Sequence, residues 1–494
     1  MARTVGVANT STDADPSLSP RRGAQAPPAG ARSGPLRVSM FPERGIRMFK
    51  RVLIANRGEI ALRIMRACRE LGTEVVCVYS TADKDAPYLK MADKAICIGP
   101  GPAKESYLNI SRIMAAAEIA DVDAIHPGYG FLSERPDFSA VCRDCKIEFI
   151  GPNPEAMAKL GDKVECKRTA KANKVPIFPG SPGALEDEDE AVKIAKEIGF
   201  PVIIKASAGG GGRGMRICRD EPQLRANLKA ASTEAKAAFG NGAVFIEKFL
   251  EHARHVEVQV IGDKHGNAVH LFERDCSMQR RHQKLIEEAP APNVDRRKRD
   301  AVCEAAARLI KAAGYHGAAT VEFLMDDKNN FYMLEVNTRV QVEHPVTELV
   351  TGIDIVKTMI RVAAGEKLPF KQSDIQLHGH AFECRINAED PDKNFMPSPG
   401  KITRFEPPGG PGVRMDTHVV TGYSVPPNYD SMISKLLVHA DTREQALDRA
   451  IRALKEFKVE PIKTTIPLHI RCFEDKNFRA GGVDIHYLER MLKS

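Results

Sequence analysis

Apolar and polar positions between residues 50 and 150 follow two alternating periods. Short apolar runs at 52–55, 75–79, 95–98 and 124–126 have the length of buried strands. Between them, 60–71 and a stretch around 110–120 carry apolar residues at helical spacing. Gly72 follows the first helical stretch where a C-cap is expected. The alternation predicts an open parallel sheet with helices on its faces. The turn NRGEI places Gly58 at a helix start, without the GxGxxG fingerprint of dinucleotide sites. HPGYGFLSE, residues 126–134, is a Gly-rich turn at the carboxyl end of another strand, where ligands of such sheets gather.

Beyond residue 160 the pattern changes. Gly161-Asp162-Lys163 opens a Lys-rich helical stretch. The strand-like FPVIIK, 200–205, runs into ASAGGGGRGM, 206–215. Consecutive glycines cost conformational entropy. A plain linker tolerates that, and so does a flap whose N–H groups reach an anion; Lys205 beside it favours the flap. It is not a Walker A loop. VFIEKFL, 244–250, and the period-2 HVEVQV, 255–260, predict two more strands. Glu247 and Lys248 face either a base edge or water. ERDCSMQRRHQKLIEE, 273–288, reads as a surface charge run or as a loop displaying cations to an acidic ligand. Residues 295–314 and 350–364 predict helices, 379–389 opens a region of short strands and Pro-Gly turns, and 444–457 is a final helix.

The segment 321–348, VEFLMDDKNNFYMLEVNTRVQVEHPVTE, draws these parts together. Two strands flank the turn DDKNN. A turn centred on Lys328-Asn329 puts Glu322 opposite Glu335, with Val321, Phe323, Met325, Tyr332, Leu334 and Val336 on the apolar face. Opposed like charges destabilise a sheet unless a cation lies between them. Mg²⁺ prefers such oxygen ligands and keeps substrate phosphates in its shell. Asn337 offers a third oxygen, and Arg339, Gln341, Glu343 and His344 follow. The alternative is a solvated hairpin face.

Composition adds limits. The length of 494 residues suggests roughly three domains. Seven arginines against three acids in residues 1–47 supply +4 of the net +7, so the body is too weakly charged to suggest nucleic acid as a partner. That segment is rich in Ala, Pro, Ser and Gly and is expected to be disordered, a transit peptide or an extension before a natural start at Met48. No apolar run reaches the ~18 residues of a membrane span. Eleven scattered cysteines fit reduced thiols in a cytoplasmic protein, and the lone pair Cys142 and Cys145 has no second pair to complete a metal site.

A glycine flap, Lys163, Lys205 and a carboxylate pair with Asn337 suit ATP and Mg²⁺. Lys284, Arg339, Gln341, Glu343 and Arg385 suit a small anionic co-substrate, with Glu343 as candidate base. IANRGEIALRI, HPGYGFLSE, KASAGGGGRGM, RDCSMQRRHQK, EVNTRVQVEHPVTE and GHAFECRINAEDP together resemble the biotin carboxylase family of the ATP-grasp superfamily, from Met48 to about Leu492. Ala208 stands where many relatives carry Gly. The resemblance implies a three-part α/β and α+β ATP-grasp enzyme. Residues 48–161 would form the N-terminal open parallel sheet and 162–370 the ATP-grasp domain, with a glycine-rich lid at about 180–250. Residues 371–494 would form a mixed α+β C-terminal domain.

The resemblance also implies a ligase forming a C–N bond: ATP, bicarbonate and biotin give N1-carboxybiotin through carboxyphosphate. It assigns ATP contacts to Lys163, Lys205, Gly211, Gly212, Glu247, Lys248, Leu250, His255 and His282, together with Glu322 and Glu335. Glu322, Glu335 and Asn337 would hold Mg²⁺ or Mn²⁺, with two ions expected. Lys284, Arg339, Gln341 and Val342 would hold bicarbonate, Glu343 would deprotonate it, and Arg385 would steady the biotin enolate. No AMKM-like biotinylation motif occurs, so biotin is expected on a separate carboxyl carrier protein. The expected setting is a homodimeric subunit of acetyl-CoA carboxylase working with carboxyltransferase subunits in fatty acid synthesis. The alternatives are the same half-reaction in a pyruvate, propionyl-CoA or other acyl-CoA carboxylase, another ATP-grasp ligase, and a non-catalytic scaffold.

Overall fold

Strands β1 (Arg51–Ile54), β2 (Glu74–Tyr79), β3 (Lys94–Cys97), β4 (Ala124–His126) and β5 (Glu148–Phe149) form one all-parallel sheet in the order β3-β2-β1-β4-β5. The computed structural model describes residues 47–183, 185, 187–206, 215–239 and 242–493. The expectation of disorder for residues 1–47 therefore falls outside the described residues, apart from Arg47, as do Gly211 and Gly212. Helices Gly58–Glu70 and Ile110–Ala120 cover the sheet where the helical spacing was read. At the carboxyl ends of β1 and β4, Asn56 Nδ2 donates to the carbonyls of Pro127 at 2.7 Å and Tyr129 at 2.8 Å. This locks the NRGEI turn to the HPGYG turn. Gly128 there has φ +64, and an added Cβ would stand 2.9 Å from Asn56 Nδ2.

A small three-stranded sheet contains β6 (Val202–Ala206), β7 (Arg216–Cys218) and β8 (Val244–Lys248), ordered β7-β6-β8. Its apolar face closes on helices Glu188–Ile198 and Glu221–Phe239.

The largest sheet is antiparallel and holds the site. Its strands are β9 (Arg254–Gly262), β10 (Ala268–Arg280), β11 (Gln283–Ala289), β12 (Gly317–Met325), β13 (Phe331–Asn337), β14 (His380–Asn387), β15 (Val413–Thr417) and β16 (Met432–Ala440). They run in the order β13-β12-β9-β10-β11-β14-β16-β15. Strands from both sides of residue 370 thus share one sheet, and β14 enters it directly beside β11.

Three local expectations are corrected. The polar stretch 273–288 is not a loop: most of it is β10 and β11, turning at Arg281 and His282, whose φ angles are +47 and +65. Its charged side chains are tolerated inside because they meet opposite charges on neighbouring strands. The single helix expected over 350–364 is two, His344–Thr351 and Ile355–Ala363, separated at Gly352 with φ +72.

The third correction concerns the β12–β13 hairpin. Glu322 does pair with Glu335, but not through a uniform register. The register shifts between Glu322 and Phe323, so Leu334 is the extra residue of a bulge. Phe331 and Met333 therefore enter the core with Val321, Phe323, Met325 and Val336, replacing the expected Tyr332 and Leu334. Tyr332 instead stacks on Phe178, with ring centroids 5.1 Å apart, and Leu334 lines the cleft.

The Asn56 side chain makes two buried or half-buried bonds that an alanine cannot make. Asn56→Ala is expected to lower unfolding free energy by about 2 kcal/mol, leaving two carbonyls short of a donor. A urea midpoint unchanged from the wild type would refute that role for the turn-to-turn lock.

Candidate active site

One cleft of about 1240 Å³ lies between the carboxyl ends of the parallel sheet, the three-stranded sheet β7-β6-β8 and the face of the large sheet. It brings together Lys163, Lys205, Glu247, Lys248, Leu250, His255, His282, Lys284, Glu322, Glu335, Asn337, Arg339, Gln341, Val342, Glu343 and Arg385. Every candidate residue from the sequence lines it except Gly211 and Gly212, which lie outside the described residues.

The floor is a row of acids set by strand register. Glu257 on β9 pairs with Glu322 on β12, which pairs in turn with Glu335 on β13. Lys284 on β11 reaches into this row. Its ammonium lies 2.6 Å from Glu257, 3.0 Å from Glu322 and 2.6 Å from Glu343. Burial alone would lower the Lys284 amine, but the three carboxylates outweigh it and hold the amine well above its ordinary value. Beneath them Arg274 is fully buried. It donates to Glu257 at 2.6 Å, Gln259 at 2.7 Å, Thr347 at 3.0 Å and Gln341 at 3.1 Å.

The loop after β13 carries the anion-binding candidates. Arg339 bonds Glu134 at 2.8 Å and Asn337 Oδ1 at 2.9 Å. Gln341 Nε2 donates to Glu322 at 2.7 Å. The Gln341 carbonyl accepts from His344 Nδ1 at 2.7 Å, and the Val342 carbonyl accepts from the buried Lys435 ammonium at 3.0 Å. Burial lowers the His344 imidazole to about 3, so it is a neutral donor. A trans peptide directs its N–H opposite to its C=O. The Val342 N–H therefore points away from His344. Lys435 also lies 3.1 Å from Glu59, which accepts from the Tyr129 hydroxyl, so the loop is braced from the first sheet as well.

Glu343 sits between two cations, 2.6 Å from Lys284 and 2.9 Å from Arg385. Burial would raise its carboxyl, but Lys284, Arg385 and Arg274 pull it well below the ordinary carboxylate range. Arg385 also pairs with Glu287 at 2.5 Å.

Glu322 and Glu335 have the donor chemistry of a Mg²⁺ or Mn²⁺ site. Burial and the neighbouring Glu322 charge raise the Glu335 carboxyl, the mark of repulsion that a divalent cation relieves. Asn337 is within reach, donating to Glu322 at 2.9 Å while its carbonyl oxygen faces Arg339. His255 Nε2 is 3.2 Å from Glu322. Among the described residues, the sets His255–Glu257–Glu322 and Glu257–Cys276–Glu343 also converge within 4.8 Å, but the Lys284 ammonium already binds acids of both.

At the other end, Asp162 caps the helix Lys163–Ala172, accepting from Val164 N and Glu165 N and placing Lys163 at its first position. Lys205 lies 2.6 Å from Glu247, which also pairs with Lys167. The Lys248 ammonium turns away onto the carbonyls of Gly199 and Phe200, at 2.9 and 3.0 Å.

Sequence reasoning missed Glu257, Lys167, Glu134 and Lys435, and it placed Arg274 among displayed cations rather than in the buried floor. The period-2 alternation of HVEVQV could have pointed to Glu257, since it puts Glu257 on the same face as His255. Nothing local marks Lys435, whose partners lie in distant segments.

Three family models match: the biotin carboxylase N-terminal domain over residues 48–157, the ATP-binding domain of the carbamoyl-phosphate synthase L chain over 162–371, and the biotin carboxylase C-terminal domain over 383–490. Biotin carboxylase 1 of Bacillus subtilis is 54% identical over 443 residues, covering 90% of this chain and 98% of the relative. The structure of a Campylobacter jejuni biotin carboxylase in complex with β,γ-ATP superposes with a TM-score of 0.83 at 53% identity, over 90% of this chain and 99% of that one. The biotin carboxylase domain of Hydrogenobacter thermophilus 2-oxoglutarate carboxylase, bound to MgADP, ADP and bicarbonate, gives 0.82 at 50% identity, over 90% and 98%. With this similarity spanning nine-tenths of its length, the chain belongs to the biotin carboxylase family.

Proposed function

We propose that this chain uses ATP and bicarbonate to carboxylate biotin presented by a separate carrier protein, the first half-reaction of an acetyl-CoA carboxylase supplying malonyl-CoA for fatty acid synthesis. The observation that carries this reading is Glu343 held between Lys284 and Arg385, in the same cleft as the Glu322–Glu335 pair. Residues 48–161, 162–370 and 371–494 are taken as its three parts, with the lid within 180–250.

The charges explain how Glu343 acts as a base. Bound to both cations it is a weak one. Bicarbonate, drawn by Lys284, Arg339, Gln341 and the Val342 N–H, competes for Lys284 and so returns basicity to Glu343 at the moment a proton must leave. The freed oxyanion attacks the γ-phosphorus, ADP leaves, and carboxyphosphate forms. Its breakdown gives CO₂ and phosphate. The phosphate takes the biotin N1 proton, Arg385 steadies the negative ureido oxygen, and N1 attacks CO₂. Lys163, Lys205, Glu247, Lys248, Leu250, His255 and His282 hold the nucleotide. A Mg²⁺ or Mn²⁺ ion on Glu322, Glu335 and Asn337 would neutralise charge on its phosphates.

No helix among the described residues is long and apolar enough to cross a membrane. A cytoplasmic homodimer acting with carrier and carboxyltransferase subunits fits this reading. The same half-reaction in another carboxylase is the second reading, favoured by the similarity to the 2-oxoglutarate carboxylase domain. Co-purified carboxyltransferase and the acceptor that gains label from bicarbonate separate the two.

Two assays test the site. ADP formation by the isolated chain is expected to need bicarbonate and to rise with free biotin, and Arg339→Ala or Glu343→Gln should lower the biotin-stimulated rate by about 100-fold or more. ADP release indifferent to bicarbonate and biotin would sink the assignment. Glu322→Ala and Glu335→Ala should each raise the Mg²⁺ concentration for half-maximal turnover at least about tenfold; an unchanged metal requirement would remove these two carboxylates from the metal site.

A further inference from the structure

Behind Arg385 lies a second acidic pair that the reaction does not use. Glu287 on β11 and Glu383 on β14 are direct partners across the strand register, so their side chains leave the same face of the sheet side by side. Both are fully buried. Arg385 takes one oxygen of Glu287. Among the described residues, the other Glu287 oxygen and both oxygens of Glu383 have no hydrogen-bond partner.

We infer that Glu287 and Glu383 share one proton, and that this pair is a positioning device that lets Arg385 move from Glu287 to the biotin ureido oxygen and back. The inference rests on the role given to Arg385 above.

Among the described residues, the surroundings leave no other way to satisfy Glu383. The titratable groups facing the pair are Arg385 and Cys384 on β14, Lys284 on β11, Cys276 on β10, Lys435 on β16, Glu343 in the substrate loop, and Tyr129. Beside them, His344 and His469 are neutral, lowered by burial to about 3 and about 4. Only three of these groups are cations. Lys284 is committed to Glu257, Glu322 and Glu343. Lys435 is committed to Glu59 and the Val342 carbonyl. Arg385 is committed to Glu287 and Glu343. Lys435 and Arg385 act on Glu383 only from a distance, and a buried carboxylate with no ion-pair contact and no donor is too costly to persist, so Glu383 is protonated. Its O–H has one unpartnered acceptor on the directly opposed residue, Glu287 Oε2. Burial, reinforced by neighbouring carboxylate charge, pushes Glu287 up to about 7 and Glu383 well above the ordinary carboxylate range, as such a pair requires.

The consequence concerns Arg385. A lone buried Glu287 would hold the guanidinium tightly, because releasing it would strand a charge. With the Glu383 proton beside it, Glu287 keeps a donor after Arg385 has left. The pair also carries one negative charge rather than two, which weakens the hold on Arg385.

Glu383→Gln keeps a donor but cannot lose a proton, and Glu383→Leu removes the donor. In the full-length protein at neutral pH, the infrared difference between wild type and Glu383→Gln should contain a protonated-carboxyl C=O band that shifts in D₂O. In kinetics, Glu383→Leu should raise the KM for biotin about tenfold, as expected when a buried acceptor loses its donor, with no matching rise for ATP. Glu383→Gln should stay near wild type and should lose the alkaline fall in biotin-stimulated rate that wild type shows once the shared proton is gone. A difference spectrum containing only carboxylate bands would overturn the shared proton. Equal biotin KM values in all three proteins, or an unchanged alkaline limb in Glu383→Gln, would overturn the positioning role. Arg385→Gln with undiminished biotin stimulation would instead remove the role given to Arg385, and the infrared result would stand apart from it.

Discussion

The site depends on one ammonium group placed among acids. Glu257, Glu322 and Glu343 converge from two strands and a loop, and each is buried. Without Lys284 their mutual repulsion would open the sheet or force protons onto them. With it Glu343 and Glu322 are held well below the ordinary carboxylate range despite burial, Glu343 by Lys284, Arg385 and Arg274 and Glu322 chiefly by Lys284 and His255. Breaking a buried pair of this kind by removing one partner costs about 3–5 kcal/mol. The same arrangement suits catalysis, because a cation shared by three acids is not owned by any of them. A substrate anion can draw it partway without stranding a charge.

Arg274 shows why the acids stay in place when Lys284 is engaged elsewhere. It has no access to solvent and no contact with the cleft, yet it joins Glu257, Gln259, Thr347 and Gln341. One guanidinium thus ties β9 to the loop after β13 and to the helix His344–Thr351. The floor thus has one cation fixed below it and the Lys284 ammonium among the acids above. This division of labour follows from side-chain chemistry: a planar, permanently charged fork is suited to holding several acceptors, and a flexible ammonium is suited to exchanging them.

Much of this was legible in the sequence where the signal was local. The parallel sheet, its helices and the opposition of Glu322 to Glu335 follow from apolar periodicity and from two like charges that need a reason. The resemblance of the motifs supplied the rest of the candidate residues, and the cleft gathers all those described. What the sequence hid has a common cause. Strands β10 and β11 look like surface because they are rich in charge, and opposite charges on neighbouring strands make that charge tolerable inside: Glu257 and Arg254 on β9, Glu322 on β12, and Arg385 and His380 on β14. The Leu334 bulge was hidden because it leaves the Glu322–Glu335 pairing intact while exchanging which aromatic and aliphatic side chains enter the core. Periodicity reports one strand at a time, and these features belong to neighbouring strands.

The same point bears on how the third region of the chain contributes. Its strand β14 does not approach the site as a separate body; it is hydrogen-bonded to β11, whose Lys284 occupies the acid cluster. Arg385 and Lys284 therefore reach Glu343 from neighbouring strands of one sheet, at 2.9 and 2.6 Å. Next along, β16 supplies Lys435 to the carbonyl of Val342. Three cations separated by up to 151 positions in sequence are thus set by backbone registers rather than by loops. Their spacing around the loop after β13 is as stiff as the sheet itself. A site set by backbone register in this way keeps its shape while its side chains exchange partners.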